Sequence, residues 1–341
     1  MLVVRPIKEE DFGQICSLLD HVPVGMTTLP HDPNILKKRI KKSLNSFRSM
    51  PEKPEGDLFF FVVEDTKKRK VAGTCALITK VGGFQPFYTY KIKAVLRESK
   101  VLGVRKEIRY LQLIVDHNGP SELATLFLSP EYRDSGNGRL LSLSRFLFIA
   151  QYPHCFEKTI LAEMRGVIDE KGKSPFWEAV GKPFFEVDFE KADLMVMTDK
   201  SFIAELIPQH PIYIPLLPDK AQEVIGKVHE DTKPAVHLLK QEGFVLTDEI
   251  DIFEAGPVLT AQIKDIRTIQ ASQEAHVESI STPKVESPVY LIANVDGFQE
   301  FRVTRGSLVV LGKNKVQFSP EVARALKVKI GSRVRFVRLK P

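Results

Sequence analysis

The sequence predicts an α+β (mixed α/β) protein with a small C-terminal β-barrel, and three observations carry that prediction. Strand-like and helix-like apolar periodicities alternate through residues 1–266. A glycine turn, R-x-x-G-x-G at residues 133–138, separates an apolar run from a strongly apolar helical stretch. The tail alternates apolar and polar residues, with glycine turns every eight to twelve residues or so, the pattern of a small barrel or sandwich.

In chain order, "LVVRPI" reads as a strand, and "KEEDFGQICSLLDHV" as a helix on the spacing of Phe12, Ile15, Leu18 and Leu19. A Pro/Gly/Thr-rich loop follows, then a helix to about residue 47. In "LKKRIKKSL" the apolar Leu36, Ile40 and Leu44 recur at helical spacing, which leaves the lysines as a solvated face. "DLFFFVVED" and "KVAGTCALITKV" form a hairpin-like pair of strands. Residues 82–115 look irregular, with strand-like pieces such as "FYTYKIKAV". "ELATLFL" is a buried strand leading into the glycine turn and the helix "GRLLSLSRFLFIAQY". "KTILAEMRG" is a strand, "SPFWEAVGKPFF" a short helix with its exit, and "EVDFEKAD" a polar tail. A second segment, "TKPAVHLLKQEGF", again has Pro early in a helix that closes on Gly, so two related halves are expected. The expected division is therefore 1–190, a first half, and 191–266, a half that completes it. A polar linker at 267–287 and a barrel at 288–341 follow.

Composition narrows the function classes. Across 341 residues, 43% hydrophobic content supports a substantial core, and no uncharged apolar run is long enough for a membrane span. "MLVVRPIKEEDF" reads as strand then helix start, not as a charged-then-apolar leader. Cys16, Cys75 and Cys155 are sparse and far apart, which suits a reducing cytoplasm and offers neither a disulfide framework nor metal spacing. The net charge of +6 invites a nucleic-acid reading. The tail lacks the aromatic-rich basic strands that stack bases, so that reading is set aside.

The glycine turn points to a phosphate. A helix start leaves backbone N–H groups unpaired at the positive end of its dipole, and glycines let an anion come close. The pattern is neither a P-loop, since no Gly-Lys-Ser/Thr follows, nor the G-x-G-x-x-G dinucleotide fingerprint. A solvated turn needing two permissive residues is the competing reading.

The order β–α–α–β–β–β–turn–α–β–α–β with R-x-x-G-x-G after the fourth strand resembles the GNAT acyl-CoA-dependent N-acyltransferases. In that family the turn holds the pyrophosphate of coenzyme A. The blocks "DHNGPSELATLFLSPEYR", "AEMRGVIDEKGKSPFWEAVGKPFF", "FIAELIPQHPIY", "AQEVIGKVHEDTKPA" and "IDIFEAGP" resemble, more narrowly, the arginine N-succinyltransferase family. That resemblance implies a GNAT fold with 1–190 as the acyl-CoA-binding half and 191–266 as a degenerate second half that completes the acyltransferase. It implies transfer of the succinyl group of succinyl-CoA to the α-amino group of L-arginine in a bacterial cytoplasm, with no bound cofactor and no metal. It also implies a homo-oligomer or a complex with a homologous subunit. Ornithine or another amine as acceptor, and a non-catalytic partner subunit, remain alternatives.

The resemblance assigns His229 as proton donor and Leu126 as a succinyl-CoA contact. With Leu128, Arg133, Asp134, Ser135, Gly136, Asn137 and Gly138, Leu126 would hold the coenzyme. The acceptor's guanidinium calls for carboxylates, and Glu122, Glu163, Asp169 and Glu170 lie in the matching blocks. Arg165 is the expected cation for the succinyl carboxylate. Thr27 and Thr28, in "GMTTLP", lie in the loop expected to meet the acceptor. His117, in "DHNG", is expected to serve a turn.

Overall fold

The computed structural model describes every residue except 23–28, 84, 170–171, 284–286, 296 and 340–341. The first elements are β1 (Leu2–Pro6), α1 (Phe12–Leu19), α2 (Pro33–Ser49), β2 (Leu58–Asp65), β3 (Lys70–Ile78), β4 (Phe87–Ser99), β5 (Val104–Asp116), β6 (Ser121–Leu128), α3 (Asn137–Gln151) and β7 (Thr159–Glu163). Then come α4 (Pro175–Val180), α5 (Lys182–Phe185), α6 (Phe189–Val196), α7 (Ser201–Leu206), β8 (Ile212–Tyr213), α8 (Asp219–Val224), α9 (Lys233–Gln241), β9 (Val245–Asp251) and β10 (Pro257–Gln262). The chain ends with α10 (Arg267–Ala271), β11 (Gln273–Ile280), β12 (Val289–Asn294), β13 (Val303–Gly312), β14 (Lys315–Phe318), α11 (Pro320–Leu326) and β15 (Arg333–Arg338).

The central sheet runs β1-β2-β3-β6-β7-β10-β9-β4-β5-β8, and within it only β6 and β7 are parallel neighbours. Helices α1 and α2 cover one face. Ile15, Leu36 and Ile40 pack there against Phe60, Ala76, Ala124 and Phe127. Helix α3 covers the other, with Leu140, Leu147 and Phe148 against Phe59, Leu123 and Leu128. Alternation along β6 explains this division, since successive side chains point to opposite faces. Helix α2 has a capped start. The Asp32 side chain accepts from the N–H groups of Asn34 (2.8 Å) and Ile35 (2.9 Å), and Pro33 occupies the first turn. Lys37, Lys38, Lys41 and Lys42 are exposed, as their spacing implies.

Four expectations change. Residues 82–115 hold a long regular hairpin, with β4 and β5 paired from Phe87↔Asp116 to Ser99↔Val104. Beyond Lys91 much of the hairpin is solvated, so no inward and outward alternation betrays it. "EVDFEKAD" is not a tail: Phe189 and Ala192 are buried on α6. The stretch 191–266 does not stand apart, because β9 and β10 fill the space between β7 and β4 in the one sheet. The polar stretch 267–287 is not a structureless linker, since it contains α10 and β11. Strand β11 hid its period because its inward residues include Ala275 and Val277, set among exposed Gln273, Glu274, His276 and Glu278.

At the C-terminal end the pairings β12–β15, β15–β11, β11–β14, β14–β13 and β13–β12 close into a ring. The ring encloses Val277, Ile292, Leu308, Phe318, Leu326 and Phe336. It is fused to the rest of the molecule. Val303 on β13 pairs with Val4 on β1, and Phe298 and Phe301 enter the same core as Phe59 and Phe148. The Phe148–Phe301 ring centroids are 5.0 Å apart and Phe59–Phe298 5.3 Å, within the favourable range for aromatic pairs. Between the ring and α9, the fully buried Glu242 carboxylate accepts from Arg267 Nη2 at 2.7 Å and from the Thr268 N–H at 2.8 Å.

Candidate active site

The sheet opens at its centre. Strands β6 and β7 are paired only at Ser121↔Ile160 and Glu122↔Leu161, although β6 runs on to Leu128 and β7 to Glu163. Beyond Glu122 the two strands part. On its other edge β6 is bulged, because its register against β3 jumps between Ala76↔Ala124 and Thr74↔Phe127. Thr125 has φ 57, in the left-handed region that a threonine rarely enters. Leu126 therefore has no register partner on β3 or on β7. Its half-buried side chain packs against the α3-side core.

At the mouth of this opening lies the glycine turn. After β6 the chain makes one 3-10 turn, Pro130–Tyr132, and enters α3 through Ser135 (φ 52) and Gly136 (φ 80). Internal bonds fix the turn. Arg133 Nε donates to the Leu128 carbonyl at 2.9 Å, Asn137 Nδ2 to the Tyr132 carbonyl at 3.0 Å, and the Asn137 N–H to the Asp134 carbonyl at 3.0 Å. Leu128 itself is buried in the core, so its main chain and not its side chain serves the turn. Gly136 caps α3 without a side-chain acceptor, so apart from the Asn137 N–H, which the Asp134 carbonyl holds, the helix start has no cap. A Cβ on Gly138 would meet nothing within 4 Å. Open space beside a helix start gives an anion room to approach its N–H groups. Arg305, from the ring, donates to the Ser135 carbonyl and adds positive charge at the turn.

On the α1/α2 side the opening is lined with carboxyls. Glu122 and Glu163 share a sheet face, since Glu122 pairs with Leu161 and side chains two apart point the same way. Ile78, Leu161 and Val258 form an apolar floor on that face. Burial raises the Glu122 carboxyl, with Lys200 and Arg39 opposing. Burial holds Glu163 well above the usual carboxylate range, and repulsion from Asp251, Glu122 and Asp193 adds to this while Lys200 offsets it. Asp251 is raised by burial too, although the N–H groups of Phe253 and Glu254 each donate to its Oδ1 at 2.7 Å. Among the described residues no group of three or more His, Cys, Asp or Glu is placed to hold a metal ion.

Arg165 and His229 meet just past the end of β7. The His229 N–H donates to the Arg165 carbonyl at 3.0 Å, and the Gly226 N–H to the Ala255 carbonyl at 2.9 Å, so the 226–229 loop is tethered at two points. His229 Nδ1 accepts from the Asp231 N–H at 3.2 Å. The neutral ring consequently carries its proton on Nε2. Burial lowers the His229 pKa and the Arg165 charge lowers it further, against the opposing pull of Asp231 and Glu230. Arg165 is half-buried with its Nε unpartnered among the described residues, and it faces Glu254 and Asp231. The strand end bearing Arg165 lies directly on the turn 254–256. A Cβ on Gly166 would sit 2.2 Å from the Glu254 carbonyl oxygen, and one on Gly256 1.9 Å from that of Met164.

The structure thus gathers Glu122 and Glu163, and separately Arg165 with His229. Asp169 is exposed and its Oδ1 accepts from the Lys173 N–H at 2.9 Å, closing a surface turn. His117 is exposed in the turn between β5 and β6. Thr27, Thr28 and Glu170 lie outside the described residues. Sequence reading missed Arg39, Asp251, Glu254, Lys200 and Arg305. Of these, Asp251 and Glu254 sit in the quoted block "IDIFEAGP", and Arg39 occupies a core position of its helix. Two further clefts, of about 200 Å³ beside Arg5 and Arg302 and about 550 Å³ beside Lys38 and Lys42, flank α2 away from these groups.

Known proteins share this architecture. The family described as "Arginine N-succinyltransferase beta subunit" matches residues 2–268, and its C-terminal domain matches residues 273–338. An arginine N-succinyltransferase from Photorhabdus laumondii subsp. laumondii is 41% identical over 342 residues, spanning 100% of this chain and 99% of that one. One from Escherichia coli is 40% identical over 341 residues, spanning 99% and 98%. The solved structure of arginine/ornithine succinyltransferase subunit AI from Pseudomonas aeruginosa superposes with a TM-score of 0.90 at 33% identity, over 100% of this chain and 99% of that one.

Proposed function

The chain belongs to the arginine N-succinyltransferase family, and from that premise we propose that it transfers the succinyl group of succinyl-CoA to the α-amino group of L-arginine, opening arginine catabolism. The observation that carries this reading is the gap between β6 and β7, with an uncapped glycine-led helix at its mouth and the Arg165–His229 pair beyond the end of β7. In this reading the α3 N–H groups and Arg133–Gly138 hold the pyrophosphate. The main chain at the Leu126 bulge accompanies the pantetheine arm and supplies N–H groups toward the oxyanion.

Glu122 and Glu163 receive the guanidinium, for which paired carboxylates are the matching partners. Arg165 takes the succinyl carboxylate. The amine attacks only when neutral, and a carboxyl of raised pKa is suited to take its proton. As the C–S bond breaks, His229 Nε2–H supports the charge on sulfur. Attack is direct. Burial pushes the Cys75 thiol up to about 12 and the Cys155 thiol up to about 11, which keeps both from acting as thiolates.

The fold reading that goes with this is a GNAT domain with a degenerate second half around α9 and β9, and the C-terminal ring as a small barrel. The enzyme works in the cytoplasm as a homo-oligomer or with a homologous subunit. Turnover of arginine, ornithine and lysine against succinyl-CoA and acetyl-CoA tests the proposal. Arginine with succinyl-CoA should be fastest, and absence of acyl transfer to any of the three amines would overturn it.

A further inference from the structure

Arg39 has no part in the roles assigned above. It follows Ile35 by four residues and Leu36 by three, so helical geometry turns it to the buried face of α2 while its lysine neighbours stay in solvent. On that same face Ser43 Oγ accepts from the Phe60 N–H at 2.9 Å and Ser46 Oγ from the Leu58 N–H at 3.2 Å, which seats the helix on β2. Across the sheet, Leu58 pairs with Ile78 and Ile78 with Glu122. Arg39 faces the Glu122 carboxyl, yet its Nε and Nη2 atoms are buried with no hydrogen-bond partner among the described residues. These two nitrogens form the side-on fork of a guanidinium, the pair that grips a carboxylate with two parallel bonds. An unfilled buried fork is costly, and buried polar groups are nearly always satisfied by something. Burial draws the Arg39 pKa down to about 10, the signature of a charge held without a close partner.

We propose that Arg39 is a carboxylate-binding residue beside Glu122, at the site that Glu122 and Glu163 line. The inference rests on the acyl-transfer reading, which brings two carboxylates to the site: the α-carboxylate of the acceptor and the distal carboxylate of the succinyl group. Both have the chemistry the fork requires, and kinetics separates them.

The test uses the full chain and its Arg39→Met and Arg39→Lys variants. Donors are succinyl-CoA and butyryl-CoA, which lacks the distal carboxylate. Acceptors are arginine and agmatine, which lacks the α-carboxylate. Losing a charge-assisted pair should cost roughly 10- to 100-fold in kcat/KM. If the fork holds the acceptor, Arg39→Met loses this factor with arginine and none with agmatine. If it holds the donor, the loss appears with succinyl-CoA and not with butyryl-CoA. Either pattern, with partial recovery in Arg39→Lys, supports the proposal. An equal loss with all four substrates, or no loss with any, overturns it. Replacement by Met removes an unpaired charge from the interior, so the variant should fold, and its thermal midpoint checks this. A failure of the acyl-transfer reading shows separately, as an inactive wild type. In that event, calorimetric titration of arginine, agmatine, succinyl-CoA and butyryl-CoA into wild type and Arg39→Met decides the matter. Equal affinity of the two proteins for both arginine and succinyl-CoA would then overturn the proposal.

Discussion

Replacing Gly138 by valine separates the proposed coenzyme site from the fold. Gly138 lies in the first turn of α3, and a Cβ there would meet no atom within 4 Å, so the substitution clashes with nothing in the protein. Valine and glycine differ by only about 0.3–0.5 kcal/mol in helix propensity, which leaves stability close to wild type. The branched side chain would instead fill the space in which an anion approaches the uncapped N–H groups. Losing one hydrogen bond to a charged group costs about 1.5–3 kcal/mol, which converts to roughly 10- to 150-fold in affinity. Calorimetric titration with CoA, alongside a thermal melt, reads both quantities. Weaker binding with an unshifted melt is expected. An unchanged affinity for CoA in Gly138→Val would mean that no ligand phosphate sits at this helix start. Gly136→Val is a poorer probe, because φ 80 strains any side chain and Arg305 Nη1 lies 3.3 Å from the added Cβ.

Other consequences follow from the buried carboxyls and from the ring. The Glu163 and Glu254 carboxyls have folded-state pKa values raised by burial, so the stability linked to them is full below the ordinary carboxylate range and is lost as pH rises through the raised values. Over that window the melting temperature without substrate should fall while the increment from added arginine grows, because a cationic ligand favours the ionised forms. Melts across pH with and without arginine check both signs. His229→Ala should lose about 10²–10⁴-fold, mainly in kcat, as steady-state kinetics will show. Gly256→Ala would push a Cβ to 1.9 Å from the Met164 carbonyl oxygen, so denaturant unfolding should show a loss of roughly 2 kcal/mol or more. Deleting the chain after residue 280 should yield an unstable protein, visible in solubility and melting, because Phe298 and Phe301 belong to the core beside α3.

What could be read from the sequence was what local pattern encodes. The strand-turn-helix of β6 and α3 declared itself through apolar runs and two glycines, and α2 through its apolar spacing and its lysine face. The β4–β5 hairpin did not, because it is solvated along much of its length and keeps no period. Strand β11 did not, because its small inward residues carry little apolar signal. Glu122, Glu163 and Arg165 could be singled out because a motif block and a strand end coincide there. Lys200 and Arg305 were not legible. They come from distant parts of the chain, and only the nearness of Lys200 to Glu122 and Glu163, and of Arg305 to Ser135, gives them meaning. Arg39 was written in the helical spacing of α2, but a basic residue amid four lysines reads as solvated until the face it occupies is worked out.

The structure of a complex with CoA and α-N-succinylarginine tests the central claim most directly. The account predicts the pyrophosphate on the first turn of α3, the pantetheine arm between β6 and β7 beside Leu126, the product guanidinium against Glu122 and Glu163, and the sulfur within reach of His229 Nε2. Coenzyme bound away from the β6–β7 opening, or His229 remote from the sulfur in every subunit, would contradict it.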